Sequence, residues 1–139
     1  MPSRIKYDAA LIKTMSFFTS KTHAKLKDCF FMQETIVFVV EEGHMAKAIG
    51  KGGETVRRLA TALQKKVKIV EFVNSPENFL QNFLAPIKLK SAVLTDNVLT
   101  ITTGNSHERG LIIGRAAANL RNLEKILQRY FSVKEIKVV

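Results

Sequence analysis

One cysteine, Cys29, stands among 139 residues, so the chain can close no intramolecular disulfide and build no cysteine-rich metal site. It lies in the apolar run Cys29-Phe30-Phe31-Met32, where a free thiol packs as a small hydrophobe, and a buried structural role is expected. Long apolar runs are missing as well. No stretch reaches the roughly 18 apolar residues of a membrane span, and Met1-Pro2-Ser3-Arg4 leads into no apolar signal segment, so a cytoplasmic protein without a membrane partner is expected. Acidic residues are few: twelve Asp and Glu face twenty-two Lys and Arg.

The chemistry of the common enzyme motifs is missing too. A nucleotide-binding P-loop needs Gly-x-x-x-x-Gly-Lys followed by Ser or Thr, but Gly52 follows Lys51, and Met45 stands where the first glycine belongs. A dinucleotide fingerprint needs a strand running into Gly-x-Gly-x-x-Gly, yet Thr55 holds the third glycine position and a helix is expected before the loop. His23, His44 and His107 are far apart and lack metal-ligand spacing. The neighbours Glu41 and Glu42 read as a solvated strand end and not as an acid/base pair. The chain is therefore read as a binding protein and not an enzyme, with no cofactor and no metal.

What is present is an ordinary globular balance, 46% hydrophobic and 24% charged, enough for one domain or for two modules of about 60 to 70 residues. The positive excess is spread along the chain: thirteen basic and seven acidic residues up to Asn74, then nine and five. Charge distributed over folded elements suits a polyanion such as nucleic acid, although it also serves solubility.

Apolar spacing predicts a helix from about Ser3 to Phe18 through Ile5, Ile12, Met15 and Phe18. Strands follow at Leu26 to Met32 and Thr35 to Glu41, then a short helix from Gly43 to Ala48, a second helix carrying Val56, Leu59, Ala60 and Leu63, and a strand from Val67 to Val73. Asn74-Ser75-Pro76-Glu77 is a helix start, with Ser75 as N-cap and Pro76 in the first turn, and it marks a module boundary. Beyond it the same order recurs: a helix to Leu84, strands at Ile87 to Thr95 and Val98 to Thr102, helices at Ser106 to Ile113 and Gly114 to Phe131, and a strand at Glu135 to Val139. Ile49-Gly50-Lys51 matches Ile113-Gly114-Arg115, and Val56, Arg57, Leu59 and Leu63 align without gaps on Leu120, Arg121, Leu123 and Leu127.

Between the two middle helices of the first module lies Gly50-Lys51-Gly52-Gly53. Glycine permits positive φ and lets a ligand approach the main chain, while the next helix points unpaired N–H groups and its positive dipole end at the same space. Phosphate is the natural guest. Lys51 adds charge at the tip, with Arg57 and Arg58 one turn further on. A plain helix-to-helix turn is the alternative; the basic tip, the apolar Ile49 and the recurrence of the arrangement sixty-four residues later favour binding.

The segment from Ile49 to Leu59, IGKGGETVRRL, resembles the KH-domain loop and the helix after it, and the element order resembles the type II KH fold. Over the whole chain, with the joint Pro76-Glu77-Asn78-Phe79 and the segment Phe83-Leu84-Ala85-Pro86, the sequence is similar to the short archaeal NusA-like transcription termination factors. The resemblance implies an α+β protein of two tandem type II KH domains, residues 1–74 and 75–139, each a three-stranded sheet packed against helices. It implies single-stranded RNA as partner, held at Ile49, Gly50, Lys51, Gly52, Gly53, Arg57 and Arg58, with a second, weaker loop at Gly114, Arg115, Ala116, Ala117 and Arg121. The role it implies is transcription regulation, by termination or antitermination. RNA polymerase or the transcription complex enters as a further partner, although the chain has no room for the polymerase-binding and OB-fold domains of bacterial relatives. Ribosome assembly or RNA processing, or a protein-interaction role without RNA, are the alternatives. In the second loop the methyl groups of Ala116 and Ala117 are expected to narrow the backbone approach or to forbid positive φ.

Overall fold

The computed structural model describes residues 7–139, so the part of the expected first helix from Ser3 to Lys6 lies outside the described residues. The first helix, α1 (Ala9–Thr22), starts where the Asp8 carboxylate accepts the Leu11 N–H at 2.8 Å. It continues past Phe18, and hydroxyls of Thr19, Ser20 and Thr22 hydrogen-bond back to carbonyls of the preceding turn. His23, left-handed at φ 60°, ends it.

Two compact units follow from the contacts of the chain, residues 7–73 and residues 74–139. In the first, β1 (Leu26–Met32) pairs antiparallel with β2 (Thr35–Val40), and β2 pairs parallel with β3 (Lys66–Glu71). A parallel pair needs a crossover connection. Here that crossover is α2 (Met45–Ile49), a 3₁₀ turn (Lys51–Gly53) and α3 (Glu54–Leu63), so the glycine loop is the point where the crossover reverses. Alternation along β2 sends Ile36, Phe38 and Val40 into one core with Phe18 of α1, Cys29 of β1, Ala48 of α2 and Leu59 of α3. Phe18 stacks on Phe38 with ring centroids 4.2 Å apart. Cys29 is buried, as its apolar setting predicts.

The second unit repeats the order. Its helix α4 (Pro76–Leu84) is capped by Ser75, whose hydroxyl accepts the Asn78 N–H, with Pro76 in the first turn. Strands β4 (Ser91–Thr95), β5 (Val98–Thr102) and β6 (Glu135–Val138) form a separate three-stranded sheet in that order, β4 antiparallel and β6 parallel to β5. The β5–β6 crossover is α5 (Ser106–Ile113), a 3₁₀ turn (Arg115–Ala117) and α6 (Ala118–Gln128). Asp96 and Asn97, at φ 52° and 65°, make a left-handed turn between β4 and β5. The strand expected from Ile87 begins only at Ser91. The Gln81 side chain donates to the Ile87 carbonyl at 2.7 Å and accepts from the Leu89 N–H at 2.8 Å, so these groups are satisfied off the sheet.

Candidate nucleic-acid interface

Gly50 ends α2 by donating its N–H to the Ala46 carbonyl at 2.9 Å. At φ 77° it also lies under Thr55: a Cβ there would stand 2.2 Å from Thr55 Oγ1. Only glycine fits beneath that hydroxyl. Gly52 differs, because a Cβ on it would meet nothing within 4 Å; its need for glycine is conformational, φ 62° and ψ 20°. Gly53 follows at φ 77° and donates its N–H to the Gly50 carbonyl at 3.1 Å, closing the turn. No side chain caps α3; the Glu54 N–H donates to the Lys51 carbonyl, and the Lys51 side chain is exposed beside that positive helix end.

Arg57 completes this loop. Its guanidinium folds back to donate to the Gly52 carbonyl at 2.6 Å, which places the charge on the loop. Gly53 makes room for it, since a Cβ there would press on Arg57 Nη1 at 3.1 Å. Arg58 goes elsewhere. It pairs with Glu54 and lines a separate cavity with residues of α1. The structure thus brings Gly50, Lys51, Gly52, Gly53 and Arg57 together, keeps Ile49 half-buried at the end of α2, and sets Arg58 on another face of α3. Lys47, on the last turn of α2 and four residues before Lys51, is exposed as well, and its spacing from Lys51 is its only signal in the sequence.

The second loop follows the same backbone path with different side chains. Gly114, at φ 75°, donates its N–H to the Gly110 carbonyl at 2.9 Å, and a Cβ on it would stand 2.6 Å from Asn119 Cγ. Ala116 and Ala117 do not refuse the left-handed region. They adopt φ 54° and 61°, so the expectation that their methyl groups forbid positive φ is corrected. The reason is that the crossover joining β5 to β6 dictates the reversal, and the surrounding structure outweighs a local cost of about 1–2 kcal/mol per residue. Arg115 is exposed at the tip. Arg121, the counterpart of Arg57, turns to Glu124 instead, Nη1 donating to Oε1 at 2.9 Å, which holds the guanidinium above its usual pKa. Glu124 is itself buried, and its Oε2 accepts the Ile136 N–H of β6 at 2.9 Å.

The family described as KH domain matches residues 13–97. The probable transcription termination protein NusA of Methanocaldococcus jannaschii is 30% identical over 140 residues, 99% of this chain and 76% of that protein. Its namesake in Methanococcus vannielii is 34% identical over 139 residues, 98% and 80% of the two chains. The chain belongs to the archaeal NusA-like KH family. The NusA-like protein of Halococcus morrhuae, at 26% identity, is matched over 99% of its length, so this family includes chains of similar extent. The crystal structure of APE1850 shares the fold, with a TM-score of 0.74 at 23% identity over 96% of this chain and all of that one.

Among the described residues no group of three or more His, Cys, Asp or Glu is arranged to hold a metal ion. Among them, too, no helix is long and apolar enough to cross a membrane.

Proposed function

We propose that the chain is a single-stranded RNA-binding protein of two type II KH modules, residues 1–74 and 75–139, acting on nascent RNA in transcription termination or antitermination without catalysing a reaction. The first loop carries this reading. At its exposed tip Gly52, at positive φ and with nothing within 4 Å of where a side chain would stand, leaves the main chain open beside the N-terminal end of α3, and Lys51 and Arg57 supply charge at the same point. A phosphate placed there accepts charge-assisted hydrogen bonds from backbone and side chain together. The matching loop in the second unit and the likeness to NusA-like proteins support two modules and a role on transcripts. The transcription complex is the cellular partner this reading supplies.

The test is a titration of unstructured single-stranded RNA at two salt concentrations, with duplex RNA as competitor. Neutralising three phosphates gives a slope of about −2 in log K against log salt, and unpaired strands should win the competition because KH-type loops suit splayed bases. Salt-independent binding, or equal affinity for duplex, overturns the reading. Crosslinking in cells should recover nascent transcripts near their 3′ ends; recovery of ribosomal RNA precursors instead would move the role to ribosome assembly.

A further inference from the structure

Arg57 and Arg58 are adjacent in sequence but serve different surfaces. Arg57 closes the glycine loop, whereas Arg58 borders a cavity of about 260 Å³ between α1 and α3, lined also by Phe17, Lys21, Thr55, Leu59 and Ala62. Three observations bear on what fills it. Its base is apolar: Leu59 is buried, and Phe17 packs half-buried against the core. Its rim is cationic, with Lys21 Nζ 5.6 Å above the centre of the Phe17 ring and the Arg58 side chain 78% exposed. It also adjoins the loop, because Thr55, one of its walls, is the residue that covers Gly50.

The geometry points to a nucleobase site, in which one base of the strand whose phosphate sits at the glycine loop enters the cavity beside Phe17, while Lys21 and Arg58 take an adjoining phosphate. This rests on the RNA-binding reading and extends it from a backbone grip to a second contact on the outer side of α3. A lysine standing over an aromatic ring marks an accessible π face, and a base has the same use for that face. The volume lies below the range that holds drug-sized ligands, which suits one flat ring system and not a larger molecule. The ion pair that now holds Arg58 is no obstacle, because Glu54 and Arg58 are both exposed and such pairs are weak against a competing phosphate. Nothing comparable is built at the matching positions of the second unit, where Asn122 stands for Arg58 and Ala118 for Glu54.

The test uses the full chain and a single-stranded RNA in which one abasic nucleotide is moved along the strand. Wild type should lose affinity about tenfold when the gap falls at one position just beside the loop-bound phosphate. Lys21→Gln with Arg58→Gln, two exposed positions that leave the core untouched, should weaken the intact RNA several-fold. Phe17→Leu should bind intact RNA about tenfold more weakly and show no further loss at the sensitive abasic position. Wild-type affinity in both variants, with binding still lost in Lys51→Asp, Gly52→Asp, removes the base site and leaves the loop reading standing. Failure of wild type to bind RNA at all overturns the loop reading and the base site together.

Discussion

Residues 50–53 and residues 114–117 trace the same path. Each starts from a glycine near φ 76° tucked under a polar side chain, Thr55 in one and Asn119 in the other, and each passes through two left-handed residues into an uncapped helix. They differ in what surrounds that path. In the first loop the missing methyl at Gly53 lets Arg57 return to the Gly52 carbonyl. In the second, Ala117 fills that space and Glu124 offers Arg121 a partner on the helix, where the first unit has Ala60. The same backbone shape therefore does not fix where the charge sits. The first loop keeps its main chain open at Gly52 with a guanidinium at hand. The second keeps the shape and sends its guanidinium to hold β6 through Glu124.

The largest expected effect separates the loops by affinity. Lys51→Asp with Gly52→Asp places two carboxylates against the phosphate and should cost on the order of a few kcal/mol, about a hundredfold or more. Arg115→Asp with Ala116→Asp should cost clearly less in the same titration. A larger loss from the second pair would reverse the assignment of the principal site.

Next in size is a change in stability confined to the second unit. Glu124→Ala leaves the buried Ile136 N–H without its acceptor and should cost about 1–3 kcal/mol in denaturant unfolding. Ala60→Glu, which gives Arg57 the partner that Arg121 has, should leave stability nearly unchanged while drawing Arg57 off the loop and weakening RNA binding several-fold. Unchanged RNA affinity in that variant would break the claim that Arg57 acts from its folded-back position.

The smallest effects concern the methyl groups. Ala116→Gly with Ala117→Gly relieves two left-handed alanines of about 1–2 kcal/mol each but loosens the unfolded chain by about 0.4–1 kcal/mol per residue. A net gain of about 1 kcal/mol is expected in the unfolding midpoint. The reciprocal Gly53→Ala should lose a similar amount and displace Arg57, because its Cβ would stand 3.1 Å from Nη1. A second loop that loses stability on gaining glycine would show that its alanines carry no strain.

Much of the fold was legible because it depends on short-range patterns. A run rich in β-forming residues placed the strand Leu26–Met32, the turn residues Asp96-Asn97 set the start of Val98–Thr102, and Ser75-Pro76 started α4 as the capping rule requires. The errors arose where a side chain from elsewhere intervened. Gln81 takes up the backbone groups at Ile87 and Leu89 that an alternating run would have given to the sheet. Likewise the glycine loop was visible as a motif, while Phe17 and Lys21 gave no signal of their own, since their relation to Arg58 exists only once α1 packs against α3.

By itself the sequence determined the repeated element order, the position of both reversals and the basic character of the surface, all of which follow from residue type and spacing along the chain. The tertiary structure decided which arginines serve the loop. Arg57, Arg58 and Arg121 are equal as residues, and only their neighbours in space send one to a carbonyl, one to a cavity rim and one to a buried carboxylate. It also decided the fate of the two alanines. Their local preference disfavours positive φ by about 1–2 kcal/mol, but the parallel pairing of β5 with β6 requires a crossover, and the packing of α5 against α6 within that crossover holds the turn against the preference.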